Sequence, residues 1–263
     1  MSDFVRVQQR GHLLEITLDR PDKRNAINWP MMLALDAAIR QAETMPGLRA
    51  VVLRGAGAGF SAGIDLLGFQ EIAGDFGEGW RDNLFPLTAA HQAVANRIEA
   101  CSLPVIALVH GFCLGLGFEL ALACDFRLAA EGTKLGLPET RLGLIPDVGG
   151  TTRLARLAGA ARAKDLILTG RTVDAAQAES WGLLNAVVPA DDLLARGEAL
   201  VAEIAQAAPL AVSYAKRVIN QLADVERGLQ LEAWAQSILM RSRDFETGVE
   251  AALTRQPAQW RGM

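Results

Sequence analysis

The stretch Pro104 to Cys124, PVIALVHGFCLGLGFELALAC, constrains the fold more than any other part of the chain. It is apolar for long enough to raise the question of a membrane span. Yet His110 and Glu119 interrupt it, as do Gly111, Gly115 and Gly117. A strand, a glycine-rich loop and a helix, buried in succession, account for this pattern better than one spanning helix. Gly111-x-x-x-Gly115 is then loop chemistry and not a membrane dimer motif. A glutamate inside such a run is unusual. Burial raises its pKa toward working pH, which suits a general acid or base; a salt bridge or a helix-terminus charge is the plainer role.

The rest of the chain alternates strands with helices. FVRVQQ and HLLEITLD read as two strands joined at Arg10-Gly11. Asn28 caps a helix from near Pro30, with Met32, Leu35 and Ile39 on one face. RAVVLRG reads as a buried strand and GAGAGFSAG as a second glycine-rich loop. Residues 64 to about 80, rich in glycine, read as irregular. A helix from Leu84 carries Leu87, His91, Val94, Ile98 and Cys101, with His91 at its flank. FRLAA and LGLPE read as short strands, followed by helices near 148–158, 160–169 and 174–181 and the strand LNAVVP. After Pro189 the pattern is helical, with breaks near Pro209, Gly228 and Arg243. There Leu231, Trp234, Ala235, Ile238 and Leu239 form an apolar stripe. The expectation is an α/β core, residues 1–195, with a helical extension, 196–263.

Composition narrows the function. The chain has 263 residues, 51% hydrophobic and 21% charged, as in a globular protein with a sizeable core. A net charge of −4 argues against nucleic-acid or anionic-membrane partners. Cys101, Cys113 and Cys124 stand in apolar surroundings and read as buried thiols of a reducing compartment. His12, His91 and His110 form no metal-ligand spacing with them, so no metal is expected. The start MSDFVRVQQR carries no targeting pattern, and a cytoplasmic location is expected.

Each glycine-rich loop follows a buried strand and ends where a helix begins, where backbone N–H groups lack helical partners. GAGAG is a poor dinucleotide loop, because Phe60 replaces the last glycine of G-x-G-x-x-G. Gly59-Phe60-Ser61-Ala62-Gly63 is a literal G-x-S-x-G, but a hydrolase elbow needs a later histidine and the last is His110. Ser61 is therefore a small loop residue. The remaining reading uses the backbone: one N–H from each loop meeting at a carbonyl oxygen, an oxyanion hole. Carboxylates then handle protons. Glu119 opens a helix, Glu139 lies in GLPET, and Asp147 lies in IPDVGG, where it either reacts or caps the next helix.

Four ordered blocks, LDRPDKRNAIN, GFSAGIDL, PVIALVHGFCLGLGFELALACDFRLA and GLPETRLGLIPDVGGTTRL, resemble the crotonase superfamily of enoyl-CoA hydratases and isomerases. The resemblance runs nearly end to end. It implies a crotonase-like spiral of ββα turns, a helical C-terminal trimerisation region, and a homotrimer or dimer of trimers. It implies an acyl-CoA thioester substrate, with no cofactor beyond the coenzyme A the substrate carries. By motif position, Ala62 and Leu116 would supply the oxyanion N–H groups, and Glu119 and Glu139 the catalytic pair. Lys23, Arg24 and Ala26 would lie near the adenine and phosphate end. Gly63, Ile64, Asp65 and Gly115 would border the thioester with Ala62. Leu116 stands where the family commonly has glycine. Asp147 and SAGIDL also look like the dienoyl-CoA isomerases, which use an acid at that position but usually carry aspartate where this chain has Glu119.

The expected activity is hydration of a trans-2-enoyl-CoA in fatty-acid or related acyl-CoA metabolism, such as β-oxidation. The alternative is enoyl- or dienoyl-CoA isomerisation using Glu139 and Asp147. A catalytically idle acyl-CoA-binding protein is the reading from a different class.

Overall fold

In the computed structural model, the described residues are 4–70, 72–77, 79–80, 82–221, 238, 242–254 and 256–263. Strands β1 (Val5–Arg10) and β2 (Leu13–Leu18) form the antiparallel hairpin read from the sequence. Next come β3 (Ala50–Gly55), β4 (Val105–Val109), β6 (Phe126–Ala130) and β9 (Ala186–Val188), which extend a six-stranded sheet in the order β1-β2-β3-β4-β6-β9. All pairings after the hairpin are parallel. Parallel strands covered on both faces read as continuous apolar runs, which is why RAVVLRG and PVIALV show no alternation.

The two faces are filled by alternate residues. Leu14, Ile16, Val51, Leu53, Val105 and Ala107 share one core with helices α1 (Trp29–Thr44), α3 (Phe85–Ala100) and α4 (Leu116–Ala123). Leu13, Val52, Ile106, Leu108 and Leu128 pack instead with Leu193, Leu200 and Val201 of α8 (Leu193–Ala205). Asn28 caps α1 as expected, its side chain accepting from the Met31 amide.

A second sheet differs from the expectation. Phe112–Leu114, read as loop, is strand β5; it pairs in parallel with β7 (Lys134–Gly136), which pairs antiparallel with β8 (Thr172–Asp174). Three-residue strands are too short to show a period, so glycine dominated the reading. The chain steps from β4 to β5 and from β6 to β7, crossing between sheets before each helix. Ser61 bridges Cys113 in the same manner after β3. This is the expected α/β spiral of repeated strand–strand–helix turns.

Three further differences are local. Residues 64 to 80 include a short helical turn (Leu66–Gln70) and helix α2 (Ile72–Phe76). Glu139 lies not in a strand but on a helical turn, Glu139–Leu142. Thr172–Asp174 is strand, with Asp174 capping α7 (Ala175–Ser180). Helices α5 (Gly150–Ala158) and α6 (Ala160–Thr169) lie near their expected places. Helices α9 (Pro209–Asn220) and α10 (Arg243–Thr254) start at the expected breaks. The Gly228 break and, save Ile238, the stripe from Leu231 to Leu239 lie outside the described residues. No helix among the described residues is long and apolar enough to cross a membrane.

Candidate active site

The two glycine-rich loops meet. A Cβ at Gly63, whose φ is +99°, would lie 3.0 Å from the Leu114 carbonyl oxygen and 3.5 Å from the Leu116 nitrogen. A Cβ at Gly115, φ +51°, would lie 3.0 Å from a Glu139 carboxyl oxygen and 3.6 Å from the Gly63 Cα. Only glycine reconciles these dihedrals with this approach. Ser61 is fully buried; its hydroxyl donates to the Asn25 carbonyl at 2.8 Å and accepts from the Gly63 amide at 3.1 Å. That is the small-residue role expected of it, and it rules the hydroxyl out as a nucleophile aimed at a cleft.

The Ala62 assignment needs correction. Its amide donates to the Arg24 carbonyl at 3.0 Å, so it is committed to the fold. The Gly63 amide is held by Ser61. The next amide, that of Ile64, has no acceptor among the described residues, and neither has that of Leu116 in the first turn of α4. Ile64 and Leu116 therefore supply the free donors, one from each loop. Motif position alone placed the donor two residues early, because the Arg24–Ala62 bond joins segments 38 apart in sequence.

The segment carrying Arg24 is stitched to the same loop. Buried Asn25 donates to the carbonyls of Ala56 and Gly59, at 2.7 and 2.9 Å. Arg20 bonds the Ala26 carbonyl at 2.6 Å and pairs with Asp65 at 2.9 Å. Asp65 also accepts from the Leu67 amide at 3.1 Å. The Asp65 carboxylate therefore braces the loop. Lys23 and Arg24 are exposed at the turn, with their side chains toward solvent.

Glu119 is 2% exposed, on the first turn of α4. One of its oxygens accepts from the Val148 and Gly150 amides, at 2.9 and 2.7 Å, where α5 begins. Burial pushes its pKa up to about 8 against those two hydrogen bonds, and the charges of Glu139 and Asp147 push the same way. Glu139 is raised too, first by burial and then by Asp147. Its Oε2 is buried with no hydrogen-bond partner among the described residues. Asp147 is exposed and does not cap α5, whose cap is Gly149; its carboxylate instead accepts from Thr88 at 2.9 Å. Sequence reading missed Thr88 altogether, since an isolated threonine on a helix carries no signal of its partner.

The structure thus brings together Glu119, Glu139, Asp147, Gly63, Ile64, Gly115 and Leu116. Free amides beside titratable carboxyls are able to stabilise an oxyanion while protons move. The family model for enoyl-CoA hydratase/isomerase matches residues 8–263. A Rhizobium meliloti protein named "Probable enoyl-CoA hydratase" is 38% identical over 97% of this chain and 96% of its own length. The carnitinyl-CoA dehydratase of Salmonella arizonae is 36% identical, with both chains covered in full. The crystal structure of an enoyl-CoA hydratase from Bacillus anthracis superposes with a TM-score of 0.90 at 34% identity, over 99% of this chain and all of that one. Along nearly its whole length, in sequence and in fold, this chain belongs to the enoyl-CoA hydratase/isomerase family.

Proposed function

We propose that the protein hydrates a trans-2-enoyl-CoA thioester to the 3-hydroxyacyl-CoA. The observation that carries this is the placing of two unbonded amides, Ile64 and Leu116, beside the paired carboxyls Glu119 and Glu139. As water adds to C3, the thioester oxygen gains negative charge, and the two N–H groups stabilise it without reorganising. One carboxyl takes the water's proton while the other delivers a proton to C2. The two titrate as a coupled pair, so they act as one proton-handling unit. Lys23 and Arg24, exposed at the rim, supply positive charge for the phosphates of coenzyme A. The functional assembly is a homotrimer or a dimer of trimers.

The test is incubation with crotonyl-CoA and mass analysis of the product. Hydration adds a water. Glu139→Gln should lower turnover by orders of magnitude with the fold intact; wild-type hydration by this variant refutes the mechanism.

One observation favours a second reading, isomerisation of an enoyl- or dienoyl-CoA. Asp147 acts electrostatically on both Glu119 and Glu139, so a third carboxyl belongs to the same charged cluster. A dienolate held by the same amides would then be reprotonated further along. Asp147→Asn spares a hydratase and disables such an isomerase, whose product has unchanged mass.

A further inference from the structure

The inference rests on the hydratase reading and concerns what holds Glu119 in place. The two amides that donate to Glu119, those of Val148 and Gly150, flank Gly149 at the turn into α5. A Cβ at Gly150 would lie 2.8 Å from both the Cγ and an oxygen of Glu119, so the turn lies directly against the carboxyl. Where this turn sits therefore decides where the carboxyl sits. Helix α3 grips the same turn along one face, through Thr88, Gln92, Asn96 and Glu99 at helical spacing. Thr88 and Gln92 hold Asp147 by its carboxylate and its backbone carbonyl, at 2.9 and 2.6 Å. Asn96 and Glu99 reach the turn through Arg153.

Arg153 is 7% exposed and stands in the first turn of α5, at the end where the helix dipole disfavours a cation. Helical side chains lean toward the N-terminus, and this one folds back over the turn. Its guanidinium donates to the Val148 carbonyl at 3.1 Å, to Asn96 Oδ1 at 2.6 Å and to Glu99 Oε2 at 2.9 Å. It also lies so close to Gly149 that a Cβ there would collide with Nη1. One planar group thus ties α3 to the turn whose N–H groups hold Glu119. Arg156 pairs with the other Glu99 oxygen at 2.8 Å but has no bond to the turn among the described residues.

We infer that Arg153 is a positioning residue for the hydration: by fixing the turn at 147–150 against α3, it keeps one oxygen of Glu119 on the two amides and leaves the other for the reacting water. The test uses Arg153→Lys, which keeps a cation beside Glu99 but loses the fork that bridges Asn96 and the Val148 carbonyl. Initial rates on crotonyl-CoA are read across pH, together with melting temperature. For Arg153→Lys, kcat should fall about 10- to 100-fold with KM little changed, the scale of a reacting group misplaced by about 1 Å. The two amides hold the Glu119 pKa, about 8, below where burial and the charges of Glu139 and Asp147 would take it. The limb of the kcat/KM profile near pH 8 should therefore move up by about one unit, and the retained cation excludes lost charge as the cause. Arg156→Met, which removes the other cation on Glu99, should leave both kcat and the limb as in wild type. Asn96→Leu leaves the Arg153–Glu99 pair in place and should give the Arg153→Lys changes in smaller measure; it carries the test if Arg153→Lys does not fold. Wild-type kcat in the folded variants overturns the inference alone. So does a fall in kcat with the limb unmoved, or an equal fall in Arg156→Met, since either marks general structural support. Absence of crotonyl-CoA hydration by the wild-type protein refutes the hydratase reading and this inference with it.

Discussion

Glu119 shows how one side chain can couple chemistry to stability. Its carboxyl has an ordinary pKa of 4.5 and a folded value of about 8. Between those values the folded state binds more protons than the unfolded state, so stability falls as pH rises, and the loss is complete above about pH 8. Glu119→Gln keeps an oxygen for the Val148 and Gly150 amides but removes the titration. The variant should gain melting temperature relative to wild type on going from pH 5 to pH 8, while losing activity at both. Parallel pH dependence in the two proteins would show that Glu119 is not the group responsible. Gly115 makes a second residue-scale case. Gly115→Ala forces a side chain at φ +51°, with its Cβ 3.0 Å from the Glu139 oxygen. Strain of about 1–3 kcal/mol is expected. Turnover should fall at least tenfold, as measured by initial rates on crotonyl-CoA, since Glu139 must shift. Glu119 was legible as a candidate because a glutamate amid GLGFELALAC has few structural uses, and the structure buries it. Which amide stays free was not legible, because it depends on the Arg24–Ala62 bond across the fold.

At the scale of elements, long segments announced themselves and short ones did not. Helix α1 shows its buried face in Met32, Leu35 and Ile39, and its start in Asn28-Trp29-Pro30. Strands β5 and β8 have three residues each and are specified by their partners, not by their own pattern. Asp147 looked like a possible cap because it precedes a helix, yet Gly149 occupies that place and Thr88 takes the carboxylate. Elements far apart in sequence are joined by buried ions. Lys216 of α9 pairs with Asp125 at 2.6 Å and donates to the Leu103 carbonyl at 3.0 Å. Asp125 also accepts from the Val105 amide at the start of β4. Truncating one member leaves the other buried and unpaired, so Lys216→Ala should destabilise by about 3–5 kcal/mol. Urea denaturation checks this; a change below about 1 kcal/mol would mean that water replaces the ammonium. The helix α4 has its own anchor. Arg127, 5% exposed, donates to the Ala121, Cys124 and Leu183 carbonyls, placing a cation at the end of α4 opposite Leu116 and Glu119.

For the whole molecule, the α/β class and the helical tail were readable from the change of pattern after Pro189, whereas the stepping between two sheets was hidden in the short strands. A surface observation bears on assembly. Leu142, Leu144 and Ile145 are 56%, 46% and 64% exposed, next to Glu139 and Asp147. Apolar residues grouped this way commonly await a partner surface. Light scattering on the purified protein should give a mass of three or six chains of 28.2 kDa. Leu144→Asp with Ile145→Asp should lower that mass, and a monomeric wild type would refute the trimer.

The crossing of Gly63 over Gly115 has a consequence for how such a protein can diversify. In the proposed mechanism the groups that face the developing charge are drawn from the path of the main chain, so the identity of Ile64 or Leu116 is free to vary without deleting them. Descendants can therefore recarve the walls of the cleft and keep its polarising power, trading one acyl group for another by ordinary point mutation. A library randomised at these two positions should yield active clones with altered substrate preference, whereas one randomised at the two glycines should yield almost none.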